Sequence, residues 1–95
     1  MNKKQELKLI EGEFTPQDAK EILTNLYTSK LNFHLMKNFS SMERFGKSDD
    51  LSNKKIPELK KSMAIISAII EEAIGKKKRL IVNATVNIEF APIKK

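Results

Sequence analysis

The stretch LIVNATVNIEF, residues 80–90, alternates apolar and mostly polar side chains over eleven residues. A period of two indicates a half-buried β-strand whose even-numbered side chains point inward. Upstream, residues 59–74 carry apolar side chains at helical spacing, and Gly75 with the basic residues 76–79 separates the two segments. The pattern therefore predicts a helix that ends at Gly75 and packs on a long final strand.

The N-terminal third of the chain predicts another strand and another helix. Residues 6–14 mix apolar and charged side chains and end at Thr15-Pro16. Thr15 is a favourable N-cap, and Pro16 suits the first helical position because its missing N–H would have no partner there. The apolar residues that follow lie on one helical face, and they are Ala19, Ile22, Leu23 and Leu26. We expect a strand over 6–14 and a helix from Pro16 to about Ser29.

Residues 30–41 fit two interpretations. Leu31, Phe33 and Leu35 alternate with polar residues, which favours a strand over residues 31–39. Apolar residues at positions 35, 36, 39 and 42 also fit a helical stripe, so the alternative makes residues 32–44 helical. Both interpretations predict a break near Leu31, because the apolar face would otherwise rotate away from that of the first helix.

Residues 40–53 are rich in Gly, Ser, Asp and Asn and predict a mobile loop. Within this loop, Arg44 and Phe45 are candidate interface residues, since an aromatic beside an arginine can anchor a partner or stack on a base. Pro57 predicts that the second helix begins between Asn53 and Pro57, because proline deeper in a helix removes a hydrogen bond.

These elements assemble into a single α+β domain over residues 1–95. The expected order is β-α-β-α-β, with two helices on one face of a three-stranded sheet. The alternative is β-α-α-α-β with a two-stranded sheet. In the three-stranded form one sheet face stays open, and such sheets tend to dimerise or to bind another molecule. We therefore expect a homodimer.

The positive charge is concentrated in the second half of the chain. The net charge is +6, yet residues 1–50 carry eight basic and eight acidic side chains. This asymmetry is typical of a surface that binds nucleic acid or an acidic partner, although helix-end cations and solubility also explain lysines. The candidate binding residues are Lys54, Lys55, Lys60, Lys61, Lys76, Lys77, Lys78 and Arg79.

The polar face of the last predicted strand is a second candidate interface. Asn83, Thr85 and Asn87 are uncharged, and each can donate and accept hydrogen bonds while tolerating burial. A strand face that meets only solvent more often carries charged residues. These three residues therefore favour contact with a protein or a nucleic acid.

Signals for enzymatic chemistry are almost absent. His34 is the only histidine, there is no cysteine, and the three glycines are too far apart for a phosphate-binding loop. A triad of Ser40 or Ser41 with His34 and Asp49 or Asp50 lacks a nucleophile elbow. We expect no enzyme activity, no cofactor and no metal. No membrane span or signal peptide is evident, so a cytoplasmic location is expected.

Two functions fit this pattern. The first is a small non-enzymatic binding protein that regulates or inhibits a protein partner, and an enzyme that processes nucleic acid is one candidate for that partner. Small inhibitors encoded by phages or mobile elements share this size and composition, which is an analogy of size alone. The second is direct nucleic-acid binding through phosphate contacts. With only two arginines, such binding would be weakly specific and salt-dependent.

Overall fold

The structure, a computed structural model, describes residues 4–93. Its elements are β1 (Lys4–Phe14), α1 (Pro16–Phe45), α2 (Asp50–Lys76) and β2 (Leu80–Glu89). β1 and β2 pair as an antiparallel ribbon, and α1 and α2 form a helical hairpin. The fold is α+β with a two-stranded sheet. The alternative prediction of a two-stranded sheet is confirmed, and the prediction of a three-stranded sheet was wrong.

The predicted third strand lies inside α1, which is one continuous helix without a break near Leu31. Residues 29–45 contain no glycine, proline or β-branched residue, so this segment lacks the residues that most strongly oppose a helix or favour a strand. Leu31 and Leu35 are four residues apart, which puts them on one face of a helix. With Phe33 between them, the same residues also show the spacing of two that is typical of a strand. Because the helix prevails, Phe33 and Leu35 lie on opposite flanks of α1, and both are exposed.

The connection between the helices is much shorter than the predicted loop over residues 40–53. α1 continues to Phe45, and Gly46 ends it with a left-handed φ of 72°, a conformation that favours glycine. α2 begins at Asp50, because the Asp49 carboxylate accepts a hydrogen bond from the Ser52 backbone N–H at 2.9 Å. Pro57 lies inside α2 on its exposed side. The predicted start of this helix was therefore too late.

The C-terminal end of α2 also differs in detail from the prediction. Gly75 remains helical, and Lys77 takes the left-handed conformation with a φ of 55°. The backbone N–H of Lys78 donates to the Ala73 carbonyl at 2.9 Å, which satisfies one of the last free carbonyls of the helix. The turn is thus two residues later than expected.

The ribbon shows the alternation that the sequence predicts. Leu7 faces Val86 and Phe14 faces Leu80, and a register shift between Lys8 and Ile10 leaves Leu9 as a bulge. Even-numbered residues 80–86 are half-buried, whereas odd-numbered residues 81–87 are exposed. β2 ends at Glu89, one residue before the predicted end.

α2 packs along α1 and not over the final strand, in contrast to the prediction. Apart from Ser62, the buried and half-buried residues of α2 follow each other at spacings of four and three, the repeat of a coiled-coil seam. They are Ser52, Ile56, Leu59, Met63, Ile66, Ile70 and Ala73. Two neighbouring helices therefore bury one stripe each and leave their other faces open.

The molecule is a single layer. Its principal extents are 52 × 37 × 15 Å, and 15 Å is close to the thickness of one helix with its side chains. The radius of gyration is 17.0 Å. A compact domain of this length would have about 12 Å. Domains usually gain their core by packing two layers together, and this chain alone provides one.

Candidate interaction surface

The structure divides the eight candidate cations into two groups. Lys54, Lys55, Lys60 and Lys61 lie in the first half of α2, whereas residues 76–79 lie at and just after its end. Fifteen residues of helix separate Lys61 from Lys76, a distance of about 22 Å along the axis. The cations therefore do not form one continuous patch.

Three of these cations have carboxylate partners. Lys76 contacts Glu72 at 2.6 Å, Arg79 contacts Glu13 at 3.2 Å, and Lys55 contacts Glu58 at 3.6 Å. All three pairs are exposed to solvent, where an ion pair contributes about 0–1 kcal/mol. An anionic partner could thus displace these carboxylates at little cost.

The basic group after α2 lies beside the beginning of α1. An open hollow of about 250 Å³ is lined by Lys77, Lys78 and Arg79 together with residues 15–17. The dipole of a helix favours negative charge near its first turn. The hollow therefore combines three cations with the positive end of the α1 dipole, while the Asp18 backbone N–H already donates to Thr15.

The predicted interface residues lie at opposite ends of the molecule. Arg44 and Phe45 occupy the last turn of α1 and not a loop, and Phe45 is 70% exposed beside Gly46. Asn83, Thr85 and Asn87 are exposed on the ribbon, where they face Glu11, Lys8 and Glu6 of the neighbouring strand. The 30 residues of α1 separate the two sets, about 45 Å along the helix.

A buried polar cluster near the hairpin turn was not predicted from the sequence. His34 Nδ1 lies 2.9 Å from the Ser52 Oγ, and these residues are only 4% and 0% exposed. His34 Nε2 has no hydrogen-bond partner among the described residues. Both residues lie on the sides of α1 and α2 that face each other. Once α1 is known to be continuous, the helical spacing of His34 and Ser52 predicts these positions.

The cluster also includes Asp49, the N-cap of α2. Two hydrogen bonds from Ser52 lower the pKa of the Asp49 carboxyl below its usual 3.8. The larger effect comes from the Ser52 backbone N–H and the smaller from its side chain. Asn38 extends the cluster, because its side-chain oxygen accepts the Asp49 backbone N–H at 2.9 Å. The hairpin turn is therefore fixed by hydrogen bonds between the two helices.

The geometry of this cluster is not that of a nucleophilic triad. In such a triad the histidine lies between the serine and the carboxylate, and the serine contacts the substrate. Here Ser52 is the central residue and is fully buried. Ser41, a member of the triad considered from sequence, instead donates its hydroxyl to the Lys47 carbonyl at 2.7 Å.

An open apolar groove lies between the two helices, with a volume of about 350 Å³. Thr24 of α1 lines the groove. Leu35 and Met42 follow Thr24 by eleven and eighteen residues, about three and five helical turns, so they lie on the same side of α1 as Thr24. We call this side the groove face. It comprises Lys20, Leu23, Thr24, Leu35, Phe39 and Met42 of α1 and Met63, Ser67, Ile70, Glu71 and Ile74 of α2.

Two further features were tested on residues 4–93. Within that range no group of three or more His, Cys, Asp or Glu side chains is placed to hold a metal ion. No helix in the same range combines the length and the apolar character needed to cross a membrane. Glu11 and Glu13, the acidic pair on β1, contact Lys8 and Arg79.

Comparisons with protein-family models, with curated proteins and with solved structures find no match to this chain.

Proposed function

We propose that this chain is a non-catalytic protein-binding module that regulates or inhibits a partner by occupying part of the partner's surface. The observation that supports this proposal is the distribution of its apolar side chains. In the described residues seventeen large apolar side chains are exposed, whereas only Ala19, Ile70 and Ala73 form the buried apolar core. Large contiguous apolar surfaces mark interaction sites.

The hairpin turn is the place where a foreign partner has the best anchor. Phe45 is 70% exposed at the tip of the helical hairpin, and Arg44 precedes it. Aromatic and arginine side chains dominate the binding energy of protein interfaces. The net charge of +6 favours a partner with an acidic surface and accelerates the encounter with it.

The proposal is tested by capturing partners from a lysate of the host cell with the purified chain, after nuclease treatment. We expect one protein to be retained by the wild type and to bind Phe45→Ala at least about 10-fold more weakly, because loss of an anchor residue costs about 2 kcal/mol or more. Phe90→Ala is the matched control, since Phe90 is 75% exposed at the other end of the molecule. The proposal fails if the wild type retains no protein, or if Phe45→Ala binds as tightly as the control.

Nucleic-acid binding is the second candidate function. The hollow formed by Lys77, Lys78, Arg79 and the beginning of α1 favours it, because phosphate groups bind to clustered cations and to the positive end of a helix dipole. The test is a titration with generic RNA and duplex DNA at low and at physiological salt. Affinity that falls steeply with salt and is lost on replacing residues 76–78 by Glu supports this candidate. No binding at low salt removes it.

A further inference from the structure

The chain exposes far more surface than a compact protein of its mass. Its accessible surface is 8064 Å². A folded monomer of 10.9 kDa is expected to expose about 5,600 Å², so the excess is roughly 2,500 Å². The excess has an evident source, since the molecule is 15 Å thick and neither side of the helical hairpin is covered by a second layer.

We infer that a second copy of this chain covers the groove face, so that two helical hairpins pack together across a twofold axis. This inference rests on the proposed binding function and names the partner of one of its surfaces. The groove face is one of the two open sides, so if each copy hides about half of its excess, the dimer buries roughly 2,500 Å² in total, within the range of obligate homodimers. The hairpins then supply the second layer that each lacks.

The chemistry of the groove face fits a second copy better than it fits a charged partner. Its apolar side chains Leu35, Phe39 and Met42 are between 46% and 60% exposed. The groove is lined by one cation, Lys20, and one anion, Glu71. Lys60, seven residues before Ser67, lies on the same side of α2, so the face carries only a small positive charge. A twofold axis allows Lys20 of each copy to approach Glu71 of the other. Most of the net positive charge of the chain lies elsewhere.

The strand ribbon gives an independent reason for a partner. A two-stranded ribbon without a covering layer is at best marginally stable in water. The ribbon makes few contacts with the hairpin. Leu7 and Ile88, on the apolar side of the ribbon, are 53% and 52% exposed. The hairpin of one copy alone thus leaves the ribbon of that copy uncovered.

Sedimentation equilibrium of the purified full chain at micromolar concentration tests the inference. We expect twice the 10.9 kDa of one chain. Ser67→Glu places a charge on the groove face at an exposed position, where the isolated chain tolerates it. We expect this variant to weaken dimerisation at least about 100-fold, because an unpaired buried charge costs about 3–5 kcal/mol. Asn25→Glu is the matched control, since exposed Asn25 lies on the outer side of α1. A monomeric wild type, or a Ser67→Glu variant that dimerises like the control, overturns the inference.

A second measurement remains decisive if Ser67→Glu fails to fold. The chain has no cysteine, so a single introduced thiol can be modified selectively. In the dimer we expect a maleimide reagent to modify Ser67→Cys more slowly than Asn25→Cys, and dilution below the dissociation constant should remove the difference. Equal rates at micromolar concentration overturn the inference. A monomer that still retains a foreign protein through Phe45 would refute the dimer and leave the proposed function standing.

Discussion

The two ends of the helical hairpin are held together by different chemistry. At the ribbon end the helices meet through Ala19, Ile70 and Ala73, which are small or aliphatic. At the turn end they meet through the His34–Ser52 hydrogen bond. Apolar contacts contribute stability but tolerate sliding of one helix along the other. A buried polar pair penalises sliding, because any shift would leave both groups without partners. We infer that one end mainly stabilises the hairpin and the other mainly sets its register.

Removing the aliphatic contact is expected to have the largest effect. Ile70→Ala should lower the free energy of unfolding by about 2–5 kcal/mol, because it removes buried methyl groups and leaves a cavity. Ile65→Ala, on the same helix but at a 54% exposed position, is the matched control and should cost much less. Urea denaturation at one fixed protein concentration measures both. Equal losses would show that Ile70 does not carry the apolar end.

Breaking the polar pair should have an intermediate effect. Ser52→Ala leaves the buried His34 side chain without its hydrogen bond, and the expected loss is about 1–3 kcal/mol. Ser40→Ala, at an exposed serine of α1 outside the groove face, should change the stability by about 0.5 kcal/mol or less. The same denaturation assay compares them. A Ser52→Ala variant as stable as this control would remove the distinction between the two ends.

The smallest effect concerns the helix cap and depends on pH. The folded-state pKa of Asp49 is lowered by its hydrogen bonds from Ser52, so the charged carboxylate stabilises the fold above the unfolded pKa of about 3.8. This contribution is lost as the pH falls through the lower, folded-state pKa. We expect Asp49→Asn to be less stable than the wild type near pH 7 and to approach it as the pH falls below 3.8 and the carboxylate becomes protonated.

Asp50→Asn is the control for this cap experiment. It removes a charge from the first turn of α2 without touching the cap hydrogen bond, since Ser52 donates to Asp49. Thermal unfolding as a function of pH measures both variants. If the difference between wild type and Asp49→Asn were independent of pH, the charge of Asp49 would play no part at the turn end.

The sequence predicts the ribbon end of the molecule better than the turn end of the hairpin. The alternation over residues 80–89 fits only a strand, and Thr15 with Pro16 correctly predicts the start of α1. Residues 31–39 satisfy two periods at once, so periodicity alone could not decide between strand and helix. Pro57 led to a start of α2 that was too late, because the Asp49 cap establishes the helix upstream of Pro57.

The polar end could not be predicted because its residues are distant in sequence. His34 and Ser52 are eighteen positions apart on different helices, and their contact depends on the register of the hairpin. Of the predicted interface residues, Phe45 is strongly exposed, and it lies on a helix and not in the predicted loop. The groove face was not predicted, since it exists only when the two helices lie side by side.

The pairing of Lys4 with Glu89 has a practical consequence for measurements on this molecule. Paired residues of antiparallel strands have Cα atoms about 4.5–5.5 Å apart, so the first and last strand positions lie side by side. Two fluorophores attached at these positions would transfer energy efficiently while the ribbon is closed, and the signal would fall once the strands separate. The ribbon could thus report its own opening in real time.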